Sequence, residues 1–167
     1  KVFADLGYRF KYVYNIIGKP SPLPKILSFV SAAAAERLVA HTKVGMMGFR
    51  DMKLYNTMYE GISLKRDFGI EVEFFEMLEM LQESEKIEDG AIEPLLVKIK
   101  DAWDFEMPAD DSFLRKGIQY YLAILKIAKS HRFDAVSLKD VDGMKKILHF
   151  PPALIFMLLS DEAGLCT

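Results

Sequence analysis

Two stretches of this chain place charged side chains directly after short apolar runs. In the first, the run Val44–Met47 is closed by Gly48 and followed at once by Arg50 and Asp51. In the second, Asp134–Leu138 empties into Lys139-Asp140-Val141-Asp142-Gly143. An apolar run of this length with a polar exit reads as a buried strand leaving the carboxyl edge of a parallel sheet. Open α/β sheets bind their ligands in the crevice beyond that edge. Arg50, Asp51, Lys139 and Asp140 are therefore the candidate substrate-binding residues. A lysine and an arginine converging on such a crevice suit hydroxyls, a carbonyl oxygen or an anion. Two solvated rim cations are the plainer alternative.

Other chemistries fit less well. Gly45 and Gly48 give Gly-x-x-Gly, short of the glycine fingerprint that wraps a dinucleotide and unlike a Walker loop. Gly45 reads instead as a strand glycine where a helix packs close, although Glu76, after a later strand, is placed where a ribose-binding acid would stand. His41, His131 and His149 lie far apart without metal-ligand spacing. Asp140, Asp142, Asp161 and Glu162 carry the oxygen ligands of a hard cation, but solvated loop carboxylates are the commoner outcome. The single cysteine, Cys166, has no neighbour to activate it and reads as a buried structural thiol. It also excludes an internal disulfide and is in keeping with a reducing cytoplasm. No Gly-x-Ser-x-Gly elbow occurs.

At 167 residues, 51% hydrophobic and 28% charged, the chain is long enough for one domain with a real core. A net charge of −2 gives no basic footprint for nucleic acid. The longest apolar stretches, Ile26–Ala35 and Phe150–Leu159, are half of the ~20 residues a membrane span requires, and no signal peptide opens the chain.

The elements that must position the candidates follow from periodicity. Arg9–Ile16 is predicted as a first strand, rich in Phe, Tyr and Val. Ser21 and Pro22 open a helix whose Leu23, Leu27, Val30, Ala34 and Leu38 form a buried stripe. Lys43–Gly48 is the second strand; Asn56 caps a helix running to Phe68, which Gly69 ends. Glu71–Glu76 is a third strand, nearer the sheet edge. Met77 to Arg132 holds at least two helices: one near Ile92–Trp103, and one from Asp110 and Asp111 to His131 with acids at its start and bases at its end. Met77 and Met80 read as core or packing filler. Asp134–Leu138 is a fourth strand, followed by a short helix Met144–Leu148. A further helix, Ala153–Leu159, is apolar all round and thus buried on every side, and Leu165–Thr167 begins a fifth strand. This βαβ rhythm predicts a single α/β domain over residues 1–167, with a three-layer, doubly wound, mostly parallel sheet of about five strands.

Three segments give the layout a resemblance to the middle, Rossmann-like domain of the L-fucose isomerase and L-arabinose isomerase family. Lys43-Val-Gly-Met-Met-Gly-Phe-Arg-Asp-Met52 resembles the strand that opens that domain. Phe68-Gly-Ile-Glu-Val-Glu73 is similar to the strand after its first helix. Phe133-Asp-Ala-Val-Ser-Leu-Lys139 resembles the strand whose lysine is usually followed by cysteine; here Asp140 stands in its place, so a role tied to that thiol is not carried over.

The resemblance implies an aldose–ketose isomerase in which a divalent cation, usually Mn²⁺, holds two sugar oxygens while a carboxylate pair moves a proton between neighbouring carbons. It implies that the first metal-binding glutamate lies beyond Thr167. The chain would then be the middle part of a larger protein, supplying one wall of the sugar site with no catalytic or metal residue of its own. The implied partners are a small-molecule sugar, the remaining domains and further subunits of a homo-oligomer. The alternative is a non-catalytic sugar-binding or regulatory module on a similar sheet.

Overall fold

The computed structural model describes residues 2–167 and divides into two units, Lys1–His41 and Thr42–Thr167. In the first unit a short helix α1 (Val2–Asp5) precedes an irregular segment and the long helix α2 (Leu23–Ala40). Ser21 does help to open α2: its hydroxyl accepts from the Leu23 amide at 3.2 Å. Two sequence expectations fail here. The segment Arg9–Ile16 makes no strand, because no neighbouring chain offers its backbone a ladder. The predicted stripe on α2 is not buried either, since Leu23, Leu27, Val30 and Leu38 are each more than half exposed.

The second unit is an α/β fold. β1 (Lys43–Met47), β2 (Glu71–Phe75) and β3 (Ala135–Ser137) form a parallel sheet in the order β2-β1-β3. Among the described residues the sheet therefore has three strands, not about five. The region of the predicted fifth strand contributes one parallel bridge, Ala135↔Cys166, supported by the Val136 amide donating to the Cys166 carbonyl. Cys166 is exposed there, which corrects its reading as a buried thiol.

One face of this sheet carries the core. Met47, Phe75, Val136 and Leu138 are buried on it, against α4 (Met77–Ser84), α5 (Asp89–Ala102), α6 (Asp111–His131) and α7 (Ala153–Asp161). α6 is the central helix of this layer, and nine of its residues are buried. Asp110 caps its start by accepting from the Ser112 amide at 2.9 Å, and Arg132 closes it in the left-handed conformation with φ of 59°. α7 is not buried on every side: Leu154, Ile155, Leu158 and Leu159 face the core, while Met157 is 47% exposed. The opposite face is lined by Val44, Met46, Val72 and Phe74, which are only half-buried or exposed, with α3 (Gly61–Phe68) beside β2. α3 starts later than predicted. Tyr55–Thr57 makes a separate 3₁₀ turn, and Glu60, not Asn56, accepts from the amides of Ile62 and Ser63. Gly69 ends it with φ of 80°, as its sequence position indicates.

At the amino edge of the sheet, Lys43 and His131 both reach the Glu73 carboxylate, and Lys43 Nζ also donates to the His131 carbonyl at 3.1 Å. The Lys43 bond, then the His131 bond, hold the Glu73 carboxyl below the usual range. A depressed folded-state pKa adds stability above the unfolded value, and that stability is lost as pH falls through the folded one. Glu73→Gln is thus expected to be less stable than the parent at neutral pH. Urea titrations at descending pH should show the gap closing; a gap independent of pH would separate the effect from the carboxylate charge.

Candidate functional site

β1 connects to β2 on one side, and the chain then returns to place β3 on the other side of β1. The strand order therefore reverses between β1 and β3, and at the carboxyl ends of such a pair an α/β sheet leaves its binding crevice. Arg50 and Asp51 follow β1, and Lys139 and Asp140 follow β3, so all four sequence candidates leave the same edge from adjacent parallel strands.

Their environments differ. The Arg50 guanidinium lies 4.6 Å from the centroid of the Tyr55 ring, a cation–π contact. Lys139 threads its aliphatic stem between two glycines. A Cβ on Gly48 would lie 3.1 Å from Lys139 Cδ, and one on Gly143 would lie 3.1 Å from Lys139 Cβ. Gly48 is also left-handed, with φ of 72°, so the β1 exit needs glycine for its turn as well as for this approach.

After Lys139 the chain does not wait until Met144 to turn helical. Asp140–Lys145 forms one wide π-helical turn. Asp51 closes the crevice onto it. Its Oδ2 accepts from the Val141 amide at 2.8 Å and its Oδ1 from the Asp142 amide at 2.7 Å, with the Met52 amide on Oδ1 at 2.9 Å. Partial burial opposes ionisation of Asp51, but the three amides outweigh it and hold the carboxyl below its ordinary value. Asp140 pairs with Lys145 at 3.0 Å, leaving its buried Oδ1 without a hydrogen-bond partner. Asp142 pairs with Lys146 at 2.6 Å; that bond, the Met52 amide and the Lys139 charge lower its pKa.

The result is a set of opposite charges in which each acid bonds at least one donor of the chain, with Asp140 Oδ1 left unpartnered. Tyr55, Lys145 and Lys146 belong to it and escaped the sequence reading. The i,i+4 spacing of Asp142 and Lys146 was the available signal for one of them. None of the three aspartates stands free as a general base. Among the described residues, no group of three His, Cys, Asp or Glu side chains is arranged to hold a metal ion. Asp51, Asp140 and Asp142 each bond within the chain, and no reaction step is assigned to Mn²⁺ at these residues.

The remaining sequence candidates sit elsewhere. Glu76 is at the start of α4, exposed, and Glu162 pairs with Lys98 at 2.6 Å. Gly45 does mark a close approach, but by a ring and not a helix: a Cβ there would lie 2.3 Å from Phe133 Cδ2. A cleft of about 1070 Å³ in the first unit is lined by Tyr12, Tyr14, Lys25 and Phe29 among others, with no carboxylate or histidine, and none of the sequence candidates lies in it. Among the described residues no helix is long and apolar enough to cross a membrane. In comparisons with known proteins, no family model matches the chain, and no curated protein matches it.

Proposed function

We propose that this chain forms one wall of the sugar site of an aldose–ketose isomerase of the L-fucose and L-arabinose type. The observation that supports this most is the pairing of two cation-bearing loops, with Arg50 and Lys139, at the carboxyl ends of adjacent parallel strands where the strand order reverses. Cationic donors placed there can hydrogen-bond sugar hydroxyls and hold a carbonyl or alkoxide oxygen. The proton-transferring carboxylates and the Mn²⁺ ligands would then come from other parts of a larger, homo-oligomeric protein.

The test is ketose formation from L-fucose or L-arabinose with Mn²⁺, measured for this chain and for a longer product of the same gene. The chain alone is expected to be inactive and the longer form active. In that form Arg50→Ala and Lys139→Ala should each weaken apparent sugar affinity about 10- to 100-fold, the worth of a hydrogen bond from a charged donor. Activity of the short chain, or sugar kinetics indifferent to both substitutions, would refute the proposal.

A second reading, a non-catalytic sugar-binding or regulatory module, is favoured by the engagement of Asp51, Asp140 and Asp142 within the chain. Sugar binding by calorimetry without turnover in any longer form would support it over the isomerase.

A further inference from the structure

Beyond Phe49, whose ring meets that of Phe74 at 5.8 Å, the loop after β1 is lightly held. From Met52 to Met58 every residue is exposed. Its internal bonds are short-range, Leu54 amide to Asp51 carbonyl and Thr57 hydroxyl to Leu54 carbonyl. Met52 and Lys53 are both left-handed, with φ of 49° and 56°, a conformation that costs energy for residues with a Cβ and persists only where the surroundings impose it. What reaches across from this loop is the Asp51 carboxylate, which takes two successive amides of the β3 turn from a position 90 residues away.

We propose that Asp51 is a latch. It ties the strained loop that carries Arg50 to the turn that follows Lys139, and so sets the opening between the two cations. Asp51 acts through these loops and is a positioning residue. As a statement about access for a sugar this rests on the function proposed above; as a statement about the two loops it does not.

The electrostatics around the latch are mixed. Asp142 faces Asp51 as a like charge, while Lys146 and Lys139 stand nearby as counter-charges; Asp140, Lys145 and Arg50 complete the set of charged groups on the two loops. The latch therefore depends on the ionised carboxylate, whose amide bonds outweigh that repulsion. Below the ordinary carboxylate range Asp51 takes up a proton and loses one of its two acceptor oxygens to an O–H, and the hold on Val141 or Asp142 weakens.

The experiment compares the whole chain with Asp51→Asn by amide hydrogen exchange and by tryptic cleavage after Arg50 and Lys53. The amides of β1 and β3 serve as the folding control. The expected result is a loss of protection at the Val141 and Asp142 amides of about tenfold or more, faster cleavage at both sites, and unchanged strands. Protection factors at the same two amides should fall with decreasing pH in the parent and stay flat in Asp51→Asn. Asp51→Glu, which keeps the charge one methylene further out, should fall between the two. Unchanged protection at Val141 and Asp142 in the Asn variant overturns the latch. So does loss of the strands together with the loops in both variants, because Asp51 would then be holding the whole fold. No sugar enters this measurement, so the latch can fail while the sugar site stands, and the reverse.

Discussion

Gly45→Val is expected to destabilise the second unit by about 3 kcal/mol, a large share of the 5–15 kcal/mol that holds a typical domain together. Valine is a good strand former, and at an open strand position the change would be mildly favourable. Here the added Cβ lies 2.3 Å from Phe133 Cδ2 and 2.4 Å from Cε2, inside any tolerable contact. Phe133 has no room to retreat. Its ring is 6% exposed, sits 5.9 Å from the Phe75 ring and stacks on His131 at 5.1 Å. The clash must therefore be relieved by separating β1 from the segment that leads into β3. A double-mutant cycle with Phe133→Leu checks the cause. Shrinking the ring should recover about 1–2 kcal/mol, so the pair falls short of the sum of its parts. Strict additivity in urea unfolding would mean that the ring is not what valine meets.

Gly117→Val probes a close approach between α6 and α7, where two effects of opposite sign compete. In a helix interior, glycine costs about 1 kcal/mol relative to alanine, so on propensity alone replacing it within α6 should stabilise. Packing opposes this. A Cβ at Gly117 would lie 2.4 Å from Leu154 Cδ2 on α7 and 3.1 Å from Phe150 Cζ, and both residues are buried. Overpacking of this kind costs about 1–3 kcal/mol, with Val the larger intruder. The packing effect should win, for a net loss of about 2 kcal/mol, partly relieved by Leu154→Ala. A gain in stability would show that α7 sits on α6 more loosely than the side chains imply.

These two glycines illustrate how much of the molecule can be read in its residues. Gly45 is visible as a site of close approach, yet that Phe133 makes the approach depends on α6 ending one residue earlier, at a left-handed Arg132 that carries no glycine signal. α6 itself is plain: an acidic cap, a basic end and one long apolar face are local features. β1 and β3 are likewise legible as short apolar runs with polar exits, and β2 by its alternation. Arg9–Ile16 has the composition of a strand and is not one, since composition records what would suit a sheet and not whether a partner strand is within reach. α4 is not legible as a helix, because eight residues give too few turns for a clear period, but the reading of its methionines as core or filler agrees with a fully buried Met80.

The candidate site divides in the same way. That Arg50, Asp51, Lys139 and Asp140 leave one edge follows from strand direction, which the βαβ rhythm implies. What each then does is a matter of partners distant in the chain. Asp51 looked like a group for substrate and is bound by amides that only the β3 turn brings to it. Asp140 looked like a possible cation ligand and is held by Lys145. Aspartates after strands are recruited both by ligands and by neighbouring loops, and residue type alone does not separate the two.

Because β3 joins the sheet beside β1 and not beside β2, one margin of β1 stays open until the last strand has been made. β1 and β2 can pair as soon as α3 has been made, but the other margin of β1 must wait for a segment some 90 residues further on. Closing so long a loop is entropically slow, and contacts of high sequence separation are those that delay folding. Throughout that interval the nascent protein presents the unpaired backbone of Val44–Met46 to its surroundings, an invitation to pair with another chain. The paired exits of β1 and β3, which carry Arg50 and Lys139, are thus among the last features to be assembled, and a cell making this protein quickly would have most need of chaperones just before residue 137 emerges.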